Sequence, residues 1–216
     1  MTSIDLTQPM IPQSSFAGSK AVTDCGVSTD EGQLLANLIS QSEGLSVEIG
    51  SWIGISSVYL AKGLMARGGG QLHCIDPHSG STLHRSSSKL TKSMGLDDTE
   101  ALWRENMARA GIEHMVTLHR AKSEDVFPTW SYGPIGFLFI DGDHRYPAVS
   151  RDFIGWAPHL AEGATLVFHD TDYVGPTRTI EEMVIPSGIF TEREGLRRVR
   201  IFKKRKSGSG EFDAAV

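Results

Sequence analysis

The chain predicts an α/β protein built on a doubly wound, mostly parallel, seven-stranded sheet that ends in an antiparallel hairpin. Three observations carry this. Apolar runs of strand length alternate five times with stretches of helical spacing, the pattern of βα units. One run, "FLFID" (137–141), is apolar at every position before its final acid, which suits a central parallel strand covered by helices on both faces. The stretch "GIFTEREGLRRVRIFKK" (188–204) reads as a closing hairpin. At 216 residues, 39% of them apolar, the chain can bury one full core in one domain.

Taken in order, residues 1–24 are polar and hold two prolines, so they read as an arm or lid before a domain at 25–206. "STDEGQLLANLISQ" (28–41) starts on capping residues and spaces Leu34, Leu35, Leu38 and Ile39 as one helix face. "LSVEIG" (45–50) is a buried strand, "ISSVYLAKGLMARG" (55–68) a helix stopped by glycine, and "QLHCID" (71–76) the next strand. The Ser-rich run 79–96 is long for a loop in a compact domain, which suggests a functional segment. A helix (97–111), a strand (114–120), the strand 135–141, a helix near 146–160 and a strand "ATLVFHD" (164–170) follow. Then comes a helix with Pro176 near its start, the hairpin, and a tail at 207–216 that reads as disordered.

Composition narrows the function. A net charge of −5 implies no basic field for nucleic acid. The basic run "LRRVRIFKKRK" (196–206) reads as a solvated edge strand guarded by its charges. Cys25 and Cys74 are too few for a disulfide scaffold and form no metal-type pair. No stretch reads as a signal peptide or a membrane span, so a cytoplasmic setting is expected.

The chemistry gathers where strands end, the place at which α/β proteins bind ligands. The first strand runs into "VEIGSWIGISS". The dinucleotide fingerprint needs a second glycine where Trp52 stands, which argues against a pyrophosphate on this turn. E-x-G-x-x-x-G is a looser turn that holds an adenosine-containing ligand without a diphosphate, although an ordinary strand–helix turn has the same outline. The second strand ends at Asp76, placed to accept hydrogen bonds from both ribose hydroxyls, or else to cap the turn before Pro77.

These residues resemble the class I S-adenosylmethionine-dependent methyltransferases, whose sheet is Rossmann-like. "VEIGSWIGISSVYLA" is similar to the first motif of that family and "HCIDPH" to the second, while "STDEGQLLANLI" resembles the preceding helix of the catechol and caffeoyl-coenzyme A types. The resemblance spans about residues 27–204. It implies that Glu48, Gly50 and Ser56 line the methionine part of the donor, that Asp76 holds its ribose, that Ser123 in "RAKSED" sits near its adenine, and that Asp141 borders it.

Two neighbouring apolar strands finish on ligand-type residues, one on Asp141 and the other on His169 and Asp170. Parallel strands lie about 4.8 Å apart, so these side chains can converge on one divalent ion. In the metal-dependent relatives an acid ends the fourth strand and an adjacent pair the fifth, and Asp141, His169 and Asp170 fall on those positions. Oxygen ligands suit magnesium, while an imidazole tilts the site toward manganese, iron or zinc. His144, three residues past Asp141, stands where the family places a base; Asp143 is the rival base or its orienting partner. "IDGDHRYPAVSRDFIGWAPHLAEGATLVFHDTDY" resembles the macrocin-type branch, which often methylates sugar hydroxyls.

By that resemblance Asp172, Tyr173, Thr177 and Arg178 face the acceptor; Trp52 and Tyr146 are either stacking platforms or core. The implied function is methyl transfer to a glycoside or oligosaccharide, for which a mannoside of the mycobacterial methylmannose type is one instance, by a homodimer using magnesium or manganese. A catechol or phenol acceptor, a non-catalytic donor-binding protein and a nicotinamide oxidoreductase are the alternatives.

Overall fold

A computed structural model describes residues 26–79 and 98–207. The expected arm (1–24), nearly all of the 79–96 loop and all but the first residue of the tail (207–216) lie outside the described residues. The elements in chain order are α1 (Thr29–Ser40), β1 (Leu45–Ile49), α2 (Ile55–Ala66), β2 (Leu72–Ile75), α3 (Glu100–Arg109), β3 (Val116–His119), α4 (Ser123–Val126), β4 (Ile135–Ile140), α5 (Tyr146–Trp156), β5 (Leu160–Phe168), α6 (Val174–Thr179), β6 (Phe190–Leu196) and β7 (Val199–Lys204).

The seven strands form one sheet in the order β3-β2-β1-β4-β5-β7-β6. The first five run parallel, and β7 pairs antiparallel with both β5 and β6. The doubly wound sheet with its closing hairpin is as the sequence predicts. Strand order reverses between β1 and β4, and such a switch point leaves a crevice at the strands' carboxyl ends.

Alternation along β4 explains why it is apolar throughout. Phe137 and Phe139 pack on one face of the sheet with Leu35, Leu60 and Trp103, while Leu138 and Ile140 pack on the other with Phe153, Trp156 and Phe168. Both layers are closed: Phe139 and Trp156 have no exposed surface. Truncating such a ring to alanine costs about 3–5 kcal/mol.

Helix α1 starts as its sequence demands. Ser28 and Glu31 form a capping box, the Ser28 N–H donating to Glu31 Oε2 at 2.8 Å and the Glu31 N–H to Ser28 Oγ at 3.4 Å. Strand β5 begins four residues before the expected 164. The helix holding Pro176 continues as a wider π-turn over Ile180–Val184, and the four-residue α4 has no counterpart in the sequence reading.

The basic run differs from expectation. β7 lies inside the sheet and β6 forms the edge. Three of its charges are anchored: Lys203 donates to Thr165 Oγ1 at 2.6 Å, Lys204 to the Leu160 carbonyl at 2.7 Å, and Arg200 to Glu192 at 2.6 Å, while Arg197, Arg205 and Lys206 are exposed.

Candidate active site

The strand ends are level, and that sets the site. Backbone bonds carry each strand one residue past its end: Gly50 N–H to the Ile75 carbonyl, Asp76 N–H to His119, Asp141 N–H to Ile49 and His169 N–H to Ile140, at 2.9–3.2 Å. Gly50, Asp76, Asp141 and His169 therefore leave the sheet along one line. Gly50 has φ +86°, and a Cβ there would collide with the Asp141 carbonyl, so only glycine lets the β1 and β4 ends approach this closely.

A cavity of about 360 Å³ opens at the switch point, lined among others by Gly50, Trp52, Asp76, Ser123, Asp141 and Asp152. Asp76 accepts the N–H of Trp52 at 2.8 Å and of His78 at 2.7 Å. Both donors have left-handed backbones, φ 45° and 51°, a conformation that is strained for bulky residues. Asp76 thus clamps two loop turns and holds its own carboxylate at the cavity wall. Trp52 is a wall residue rather than core.

The cavity wall also holds a pair the sequence reading only half identified. Ser123 starts α4 and accepts from Trp156 Nε1 at 2.8 Å. It also bonds Asp152, whose carboxyl is raised by burial to about 6.

Glu48 does not reach the cavity. Strand alternation turns its side chain to the opposite face of the sheet, where it is fully buried and accepts from Ser57 at 2.5 Å and Cys74 at 3.2 Å. Ser56 faces it there too, so the side chains of Glu48 and Ser56 stand behind the turn instead of lining it as expected. Burial raises the Glu48 carboxyl to about 7.

At the other end of Asp141 lies a charged cluster. His169, 1% exposed, sits among three acids: Nδ1 is 3.1 Å from Asp141 Oδ1 and 3.5 Å from Asp170 Oδ1, and Nε2 is 3.5 Å from Glu31 Oε2. Burial alone would lower its pKa, but Asp141, Asp170 and Glu31 push it up to about 12. Burial likewise opposes ionisation of Asp141, yet His169 and His144 hold it at about 2. The same balance of burial against His169 and Ser28 keeps Glu31 well below the usual carboxylate range.

His144 Nε2 lies 3.1 Å from Asp170 Oδ2 and 3.5 Å from Asp141 Oδ1. Burial lowers its pKa, but the two acids more than offset this and raise it. The loop that carries it is backed by Gly175, where a Cβ would collide with the His144 carbonyl. Asp170 is itself left-handed, φ 50°.

The donor chemistry fits a divalent ion at one place among the described residues: Asp141, His144 and Asp170 each offer an atom, all within 4.8 Å of one another. His169 is the departure from the expected set. Its Nδ1 faces Asp141 and Asp170 and its Nε2 faces Glu31, so its ring stands among the acids and outside the group whose atoms converge. Asp143 turns away, paired through both oxygens with Arg145.

Of the expected acceptor residues, Asp172, Tyr173 and Arg178 are exposed. The Tyr173 ring lies 5.0 Å from the His144 ring. Arg178 is tied back, its guanidinium 4.1 Å over the Tyr146 ring and bonded to Glu182 at 2.7 Å, and Tyr146 bonds the same Glu182 at 2.8 Å.

Two contributors escape the sequence reading. Glu31 has no role of its own there and stands only inside the run that opens the first helix. Arg198, at the turn of the final hairpin, bonds Asp170, the Gly26 carbonyl (3.2 Å) and Glu31 (3.4 Å).

A family profile described as a methyltransferase domain matches residues 47–171. Solved structures with the same fold include cofactor-bound Rv0187 from MTB, 24% identical, covering 84% of this chain and 83% of that one with a TM-score of 0.62. The O-methyltransferase TomG from Streptomyces achromogenes, involved in tomaymycin synthesis and solved with SAM, is 20% identical over 85% and 83%, TM-score 0.61. An O-methyltransferase from Bacillus cereus in complex with SAH is 18% identical over 86% of each chain, TM-score 0.61. No helix among the described residues is long and apolar enough to cross a membrane.

Proposed function

Because the chain belongs to this methyltransferase domain family, we propose that it transfers the methyl group of S-adenosylmethionine to a hydroxyl oxygen of a glycoside or oligosaccharide. The observation that carries the reading is Asp141, which lines the switch-point cavity and also belongs to the Asp141–His144–Asp170 group. One residue joins a donor-sized cavity to a site for proton removal.

In this reading Asp76 holds the ribose and Ser123 with Asp152 reads the adenine. The acceptor oxygen attacks the methyl carbon in line with the departing sulfur; the C–S bond breaks, and the hydroxyl proton passes to the His144 imidazole. His144 Nε2 faces the end of the sheet where Asp141 and Asp170 stand, which suits a base that takes a proton as the new bond forms. Asp141 and Asp170 would hold a divalent ion, magnesium or manganese, which lowers the pKa of a bound hydroxyl and orients it. A ligating nitrogen cannot also accept the proton, so the two carboxylates are assigned to the ion and His144 to the base. Tyr173 supports a sugar acceptor: an exposed ring beside His144 offers a face for a pyranose, with Asp172 next to it for its hydroxyls.

The test is a panel of glycosides and phenols with methyl-labelled donor, with and without chelator. Label should enter glycosides and be lost with chelator. Label in phenols alone would overturn the sugar assignment, and donor binding with no transfer to any member would leave a non-catalytic binder.

A further inference from the structure

Three acids meet at this site, Glu31, Asp141 and Asp170, and the chain itself supplies cations for them. Acids with little exposure need a positive partner or they fail to stay ionised. His169 sits on the inner side among all three. Arg198 comes over the top from the hairpin turn, and its contacts divide the two oxygens of Asp170. Its Nη1 bonds Oδ1, while Oδ2 faces His144. Its Nη2 is spent on Glu31 and the Gly26 carbonyl. The neighbouring Arg197 is left-handed, φ 53°, and reaches Asp30 at 3.5 Å. The turn is therefore shaped to present two guanidiniums to the start of α1 and the end of β5.

We propose that Arg198 is a resident counter-charge on Asp170 that competes with a divalent ion for that carboxylate, so that this chain holds its ion loosely and exchangeably. The inference rests on the ion site proposed above. A guanidinium keeps its charge at every working pH, so the competition does not switch off. Arg198 is only about one-third exposed and the Asp170 carboxylate is 12% exposed, so repulsion between the guanidinium and an arriving cation is screened less than in open water. The ion stays longer when an acceptor oxygen adds a ligand than when it must rely on a carboxylate already bonded to arginine.

The experiment is manganese(II) titration of the full-length protein, read by electron paramagnetic resonance, in wild type, Arg198→Met, Arg198→Lys, Asp170→Asn and the Arg198→Met/Asp170→Asn double variant. Methionine keeps an apolar stem and removes the charge; lysine keeps the charge. Melting curves and donor calorimetry on the same samples show that each variant is folded and still binds S-adenosylmethionine. Arg198→Met should bind manganese about tenfold more tightly than wild type, the scale of effects seen for groups that touch a ligand rather than the ion. Arg198→Lys should match wild type, and Asp170→Asn should erase the gain. Equal or weaker binding in Arg198→Met overturns the competition while leaving the ion site standing. A gain that survives in the double variant overturns it too, because the charge would then act elsewhere than at Asp170. Manganese binding in wild type that ignores Asp170→Asn overturns the ion site itself.

Discussion

Glu48 carries the sharpest stability prediction. Its carboxyl is fully buried, Oε2 is taken by Ser57 and Cys74, and Oε1 has no hydrogen-bond partner among the described residues. Burial penalises the charged form and raises its pKa from 4.5 to about 7. At about 1.4 kcal/mol per tenfold in proton affinity, that difference corresponds to about 3 kcal/mol. The sign follows from proton counting. Between pH 4.5 and about 7 the folded state binds the proton more tightly than the unfolded chain, so this group's contribution falls as pH rises through that window. Below the window both states are protonated, and above it the loss is complete. Glu48→Gln stays neutral and should escape the loss. Urea unfolding of the donor-free protein at pH 5, 6, 7 and 8, followed by fluorescence of the buried Trp103 and Trp156, gives both curves. The histidines titrate equally in the two proteins and cancel in the difference. The glutamine variant should gain on wild type by up to about 3 kcal/mol between pH 5 and 8. Parallel curves would show that Glu48 titrates normally and that its burial is relieved in solution.

Other expectations concern the cavity and the base. Asp76→Ala removes charge-assisted bonds of about 1.5–3 kcal/mol each, so calorimetry should show at least a tenfold loss of donor affinity; unchanged affinity would remove Asp76 from the donor site. Gly50→Ala drives a Cβ into the Asp141 carbonyl and strains a left-handed turn, and should lower both melting temperature and donor affinity; a variant that melts and binds normally would contradict the close approach of β1 and β4. His144→Ala should cost about 10²–10⁴-fold in turnover with little effect on donor binding. In wild type the rate should rise with pH as the His144 imidazole loses its proton and becomes able to accept the acceptor's. A mutant that keeps both rate and rising limb would assign the proton elsewhere.

The sheet was legible because its signals are local. β1, β2 and β4 announce themselves by apolar runs that stop at Gly50, Asp76 and Asp141, and the structure ends them there. The site was legible only where a residue's role follows from its place on a strand. Asp141 and Asp170 are strand-end acids, and they meet. His169 occupies an equally good strand-end position, yet its ring stands between Asp141 and Glu31, an acid from a helix more than a hundred residues earlier that no local signal places there. Glu48 shows the same limit: its spacing before Gly50 is that of a donor-binding motif, and strand alternation turns it to the other face. Arg198 was hidden inside a basic run whose plain reading was a guarded edge, because nothing local says that β7 inserts between β5 and β6.

The pairing of Glu31 with Arg198 spans 167 positions of the chain, and this bears on the order in which the molecule matures. Contacts of such separation form late, after the short-range pairings have closed the intervening loops. Until the final hairpin docks, three acids at the end of the sheet have only the histidines His144 and His169 beside them. The hairpin therefore arrives at a surface already charged to attract it, and its turn closes the start of the first helix onto the end of the fifth strand. The last piece of the sheet to be translated is thus the piece that brings the charged centre to balance.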